Sequence, residues 1–404
     1  MGTGHSHRAG RHDEDFEVAR GPRTVLLAAL VLAAVASVAG VVTLWPSSAD
    51  VHEVVDAVPF AAPGVTFPDA VVDEVQAACP RAENGATAGG DDCGNVVATV
   101  GGGAGEGDEV TVRVAPQVID SGLSPGDEIK VQRTPGADGA EASYTYFGTV
   151  RSSALLVMAL VFALLVVVVA RWRGFFALLG LAFSGLVVWQ FMLPALLTGE
   201  SGLLVGLSGS AAIMFVVLYL THGLSMRTST ALAGTLVGVL VTVGVGVVAV
   251  QATRLTGITD ESAGILSTYV GGLDFQGLLA CATIIAGLGV LNDVTITQSS
   301  SVWEIRSAAP TMSRAAVFAS GMRIGRDHIA STIYTIVFAY AGSALAVLLI
   351  LLLYGLPLEV LLTTEEIGEE IVRTLASAIG LVLAVPLTTG IAALVVPGSK
   401  PLPE

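Results

Sequence analysis

The chain has 404 residues, of which 53% are hydrophobic and only 13% charged, and its mean hydropathy is +0.76. Such a balance excludes a string of ordinary soluble domains and predicts a protein that crosses a bilayer several times. The net charge of −15 is gathered mainly in residues 50–150, which hold 17 Asp and Glu against 4 Lys and Arg, so no nucleic-acid partner is expected.

Residues 1–23 read as a disordered, solvated cytoplasmic tail with four arginines and His5, His7 and His12. Such a tract holds Zn²⁺ or Ni²⁺ loosely at best, and no metal or other cofactor is expected in the protein. Residues 24–45 predict a first transmembrane helix, with Val25–Leu44 apolar and arginines before it. Its apolar run outlasts the about 7–15 residues of a signal peptide, which predicts an uncleaved anchor.

Residues 50–150 predict an extracytoplasmic β-rich domain of five or so strands, an OB-like barrel or a sandwich. Strand-like runs cover Asn95–Val100, Glu109–Val114, Glu128–Gln132 and Tyr144–Val150, and Ser124-Pro125-Gly126-Asp127 reads as the turn that launches the third. Asp91-Asp92 beside Gly89-Gly90 reads as an acidic solvated loop rather than a Ca²⁺ site. Cys79 and Cys93 lie in this segment, outside the cell by this reading, where a disulfide is chemically open to them.

Residues 153–397 predict seven more helices and a polytopic all-α bundle of about eight spans. The runs are Ala154–Ala170, Phe175–Leu193, Leu203–Leu220, Ala231–Val250, one beginning at Leu278, Ile329–Tyr354 and Ile371–Val396. With the N-terminus inside, nearly every basic residue of the short loops falls on the inner side, including Arg171, Arg173, Arg227, Arg306, Arg314, Arg323 and Arg326. Both termini are therefore expected to be cytoplasmic and residues 50–150 outside. Gly234 and Gly238 are spaced for close helix contact, as are Gly321 and Gly325.

Candidate functional residues gather at two places. The sixth span runs without a break from Leu278 into Asn292-Asp293 and on to Glu304, with Asp293, Thr297, Ser300 and Glu304 on one helical face. An acid near the centre of a span costs about 2.5–3.5 kcal/mol on insertion scales, so Asp293 calls for a partner or a water-filled cavity. The second place is Arg323, Arg326 and Asp327, followed by Ser331, Thr332 and Thr335, a polar stripe entering the seventh span. Arg323 or Arg326 is the expected electrostatic partner of Asp293, and Arg323 is spaced to pair with Asp327.

These features together resemble the YibE/F family of bacterial membrane proteins. The resemblance rests on the β segment ending in Tyr144–Arg151, on Arg171-Trp172-Arg173-Gly174, and on the glycine-rich fifth span. It rests most on Asn292-Asp293-Val294 through Glu304 and on Ser320-Gly321-Met322-Arg323-Ile324-Gly325-Arg326-Asp327, and covers roughly residues 100–355. Asn292 stands where the family commonly shows Met. The resemblance implies a bacterial cytoplasmic membrane location and a topology more than an activity. Leu291–Thr295 leading to Trp303–Arg306 is also similar to the Asn-Asp motif of SecF, a resistance-nodulation-division permease in which an intramembrane acid serves proton-driven work.

Two functions follow. One is a proton-coupled permease or exporter of a substrate the sequence does not name, with Asp293 alternating between protonated and charged states. Burial favours the neutral acid and a nearby arginine the charged one. The alternative is a translocation-accessory or envelope-assembly protein whose outer domain binds a protein partner while the bundle anchors it in lipid. No enzyme is expected, because the chain has no Gly-x-Ser-x-Gly elbow, no His-Glu-x-x-His and no aspartyl pair in a Gly-x-Gly-Asp context. The oligomeric state is left open.

Overall fold

The computed structural model describes residues 20–79, 93–136, 140–259, 261–355 and 357–398. The histidine tail, Asp91-Asp92 and Lys400 lie outside them. The chain divides into a unit of Ala57–Val168 and a unit of Met1–Asp56 with Val169–Glu404.

The smaller unit is built on β1 (Asp69–Val75), β2 (Asn95–Val100), β3 (Glu109–Arg113), β4 (Glu128–Thr134) and β5 (Ser143–Thr149). The strands are antiparallel in the order β3-β2-β1-β4-β5, and β3 also lies beside β5, so the sheet is nearly closed into a barrel. Alternation explains the inside. Val96, Ala98 and Val100 of β2 are buried and the residues between them are not, as the period-2 geometry of a strand requires. Val72, Val112, Ile129 and Val131 complete the core. At the turn into β4, Pro125 is followed by Gly126 at φ 93°, and the Asp127 carboxylate accepts from the Ser124 N–H at 2.8 Å. Positive φ is what glycine allows there. Cys79 and Cys93 are bonded, with Cα atoms 5.0 Å apart.

The helices, in chain order, are α1 (Arg20–Thr43), α2 (Ser48–Ala57), α3 (Pro116–Asp120, between β3 and β4), α4 (Ser152–Val187) and α5 (Leu193–Leu197). Then come α6 (Gly202–His222), α7 (Met226–Thr253), α8 (Glu261–Tyr269), α9 (Phe275–Ala308), α10 (Arg314–Ser343), α11 (Leu345–Leu353), α12 (Leu358–Leu361) and α13 (Glu365–Val395). A π-helical turn over Val188–Met192 joins α4 to α5. Ser225, Asp274 and Ser313 cap α7, α9 and α10 by accepting a first-turn N–H.

Six helices among the described residues are long and apolar enough to cross a membrane, or seven if α10 and α11, bent by 61° to one another, form one span. The expected second and third spans are one 46-residue apolar stretch, Ser152–Leu197, broken at Arg171, whose φ of 55° and ψ of −135° are not helical. The expected last span, Ile371–Val396, starts earlier, because Glu365 and Glu366 occupy the first turn of α13 rather than a loop, where the helix dipole favours acids.

The heart of the helical unit is α7, α9 and α13, with α6 and α10 against them. Glycine sets the spacing. A methyl group on Gly238 would meet Leu291 and Ala384, and one on Gly234 would meet Thr388. Gly321 faces Val302 and Thr389, and Gly325 faces Gln298 and Val385, so both glycine pairs serve close packing.

Candidate functional site: a polar seam between α7, α9 and α13

The interior of the helical unit is unusually polar for one so apolar outside. Thr235, Thr242, Thr295, Gln298, Ser299, Ser377, Thr388 and Thr389 are all buried. Thr235 and Thr295 share a hydrogen bond of 2.6 Å between α7 and α9. The Ser299 hydroxyl donates to the Arg227 carbonyl at 2.7 Å. The Gln298 amide donates to Thr389 Oγ1 at 3.3 Å and to the Gly321 carbonyl at 3.4 Å, tying α9 to α13 and α10. Thr242 and Thr389 turn their hydroxyls onto carbonyls four residues back, Gly238 and Val385.

Not every group is satisfied. Ser210 Oγ, Thr388 Oγ1, Asn292 Oδ1 and Gln298 Oε1 are buried without a hydrogen-bond partner. Such a group costs about 1–3 kcal/mol unless water or a solute meets it. The seam therefore presents polar atoms that the protein itself leaves unmet.

At one end the seam meets charge. Arg373 pairs with Glu369 and with Glu370, the latter at 2.9 Å, and Thr259 donates to Glu369 at 2.9 Å. Thr256 Oγ1 donates to Glu365 at 2.5 Å. These contacts fasten the segment after α7 to the start of α13. At the other end, Arg306 lies buried in the last turn of α9.

The residues singled out in sequence fall mostly elsewhere. Asp293 and Glu304 are exposed and Thr297 and Ser300 half-buried, on the face of α9 turned away from the seam. The Thr297 hydroxyl bonds back to the Asp293 carbonyl at 2.8 Å. No ion pair joins Asp293 to Arg323 or Arg326 among the described residues; both arginines are exposed, and Arg323 donates to Ser320 at 2.8 Å. The Arg323–Asp327 pair is likewise not formed. The reason is packing: α9 turns the face of Gly287, Leu291, Thr295 and Gln298 inward, and α10 turns in Gly321 and Gly325. Thr332 is half-buried and bonds to the His328 carbonyl at 2.7 Å, and exposed Thr335 to that of Ser331 at 3.3 Å. Of these residues Asn292 is half-buried, with its side-chain Oδ1 buried and unpartnered. The seam hydroxyls carry little signal in sequence because Thr and Ser are common in spans; their clue is that Thr242, Thr388 and Thr389 lie opposite glycines. No group of three or more metal-ligating side chains occurs among the described residues.

A family model described as YibE/F-like protein matches residues 158–398. The chain belongs to the YibE/F-like family. The match runs from within α4 to just past the end of α13, so it holds the whole seam and leaves out the five strands, one or more of which the resemblance over residues 100–355 takes in. No curated protein and no solved structure matches the chain. The likeness to SecF is not shown and stands on the short motif that suggested it.

Proposed function

We propose that this YibE/F-like protein is a permease of the bacterial cytoplasmic membrane, with the polar seam as its route and Asp293 as its proton-coupling group. The observation that carries this reading is the set of buried polar atoms without partners on α6, α9 and α13, beside the buried hydroxyls of α7. Apolar packing alone would not select them, because each is costly when left dry.

With α10 and α11 taken together as one span, counting Ser152–Leu197 as two brings the six to eight. At 1.5 Å per residue that stretch is roughly 69 Å long, about twice a ~30 Å hydrocarbon core. Both termini are then inside and the β unit outside, in line with the charge asymmetry. In this frame the Thr235–Thr295 bond sets the depth of Asp293. Thr235 lies roughly 14 Å along α7 from Met226, which puts Asp293 about 17 Å in, near the middle of the core. An exposed acid at that depth is where rocking of α9 against α7 and α13 would have the greatest consequence. The same motion opens the seam and changes what Asp293 faces, so that proton uptake and solute passage are linked.

Reconstitution into liposomes with a trapped pH-sensitive dye tests the reading. The native chain is expected to carry a proton flux under an imposed gradient. Asp293→Asn should lower that flux at least about tenfold while insertion and monodispersity are kept, and Asp293→Glu should retain part of it. Native flux in Asp293→Asn would remove Asp293 from the coupling role, and no flux in the native chain would remove proton coupling altogether.

One observation favours the accessory reading. Phe60, Phe67 and Phe147 form a ring cluster on the β unit, with centroids 4.9–6.2 Å apart, and Phe60 is 79% exposed. A partner protein docking there would give the β unit a task of its own.

A further inference from the structure

The turn between α9 and α10 holds two arginines with no acid paired to them among the described residues; Arg306, in the last turn of α9, has only that helix's C-terminal dipole and the turn carbonyls against its charge. Arg306 is 2% exposed. Its Nη1 donates to the carbonyls of Pro310 at 3.2 Å and Met312 at 2.6 Å, which pins the turn. Its Nε and Nη2 are buried and have no partner, and the Nε of Arg314 is in the same condition. Arg314 is the first residue of α10 and is near enough for its charge to act on Arg306. Neither arginine forms an ion pair with an acid among the described residues.

A guanidinium stays charged under all ordinary conditions, so burial cannot be relieved by losing its proton. Leaving its N–H groups buried and unmet is costly, and two such groups side by side repel as well. The start of α10 adds to the imbalance. Its first-turn N–H groups carry partial positive charge, the usual setting for a bound anion; the Ser313 hydroxyl meets one of them, that of Ala316, at 3.3 Å. On the protein side lies an apolar cluster of Val302, Val317, Ala392 and Val396, which offers no acceptor. Arg314 is only half-buried, so the pair is reached from the surface on its side.

We propose that Arg306 and Arg314 together hold a phosphate-type oxyanion, either inorganic phosphate or the phosphate of an anionic phospholipid headgroup. A tetrahedral oxyanion offers acceptors in several directions, which matches unmet donors on two separate guanidiniums. The inference does not depend on transport.

The full chain is purified in detergent, exposed to mixed micelles of phosphatidylglycerol and phosphatidylcholine in equal amounts, and weighed by native mass spectrometry. In parallel the lipid-stripped chain is melted with and without inorganic phosphate. Retention of phosphatidylglycerol about fivefold over phosphatidylcholine, lost in Arg314→Gln, supports a lipid headgroup. A phosphate-dependent rise in melting temperature, lost in Arg314→Gln, supports a free anion. Arg314 makes no hydrogen bond to the turn carbonyls, so this variant should fold. Arg306→Lys, which keeps a charge and a capping donor but not the planar fork, should weaken either effect about threefold. Equal retention of the two lipids with no phosphate effect overturns the proposal, as do effects that Arg314→Gln leaves unchanged.

Discussion

The two units of this chain bury opposite things. The β unit buries valine and isoleucine and turns Asp, Glu, Thr and Lys outward. The helical unit exposes Leu, Val and Phe along most of its length and buries glycine, threonine and serine between α7, α9 and α13. The difference follows from the solvent. In water, apolar area removed from solvent drives packing. Among lipid tails that drive vanishes between helices, and close contact through small residues with hydrogen bonds replaces it. A single substitution should therefore have a different consequence in each unit.

The largest effect is expected at Gly202. A methyl group there would lie 2.3 Å from the backbone of Gly277 and 2.9 Å from the Leu278 nitrogen, and backbone cannot step aside as a side chain can. Gly202→Ala should leave little monodisperse protein on size exclusion in detergent; a well-behaved variant would show that α6 and α9 are not held by backbone contact. Next is Ile129→Ala, which removes a fully buried side chain from the barrel. It should cost about 3–4 kcal/mol, read as faster amide exchange across β1–β5 with α7, α9 and α13 unchanged. Loss of protection in the helices too would mean the two units do not fold independently. Opening the Cys79–Cys93 bridge, whose ends are 14 residues apart, should destabilise the β unit by about 3 kcal/mol, measured by the same exchange in Cys79→Ala with Cys93→Ala. The smallest effect belongs to the seam. Thr295→Val should cost no more than about 1 kcal/mol, because Thr235 keeps its bond to the Ala231 carbonyl at 3.0 Å, and adding Thr235→Val should cost little more. Greater destabilisation in the double variant would make the bond structural rather than part of a route.

Much of the β unit was legible. The Asn95–Val100 strand, the Ser124–Asp127 turn and the glycine pairs of α7 and α10 could be read directly, because alternation, turn chemistry and small-residue spacing are local signals. The strand at Asp69–Val75 was not, since Asp69, Asp73 and Glu74 dilute its apolar pattern. Nor was the orientation of α9. It carries polar residues all round, and an intramembrane acid draws the eye to the face of Asp293. Its inward face is instead chosen by fit, with Leu291 against Gly238 and Gln298 against Gly325, and fit between distant segments leaves no periodic trace. Arg171-Trp172-Arg173 reads as a loop between two spans, whereas only Arg171 leaves the helical conformation.

On the proposed reading the seam meets water or a polar solute although it lies inside an apolar bundle. Substituted-cysteine labelling addresses it directly, in membranes, on a Cys281→Ser background that leaves the bonded pair in place. Ser377→Cys and Thr388→Cys lie on the seam, 2% and 0% exposed, while Leu383→Cys and Leu387→Cys lie on the outer face of the same helix, 43% and 40% exposed. A small charged thiol reagent should modify the two buried positions and spare the two exposed ones, the reverse of their order of exposure. Labelling that leaves both seam positions untouched under every gradient and potential applied would show a dry core, and the seam would then be packing and nothing more.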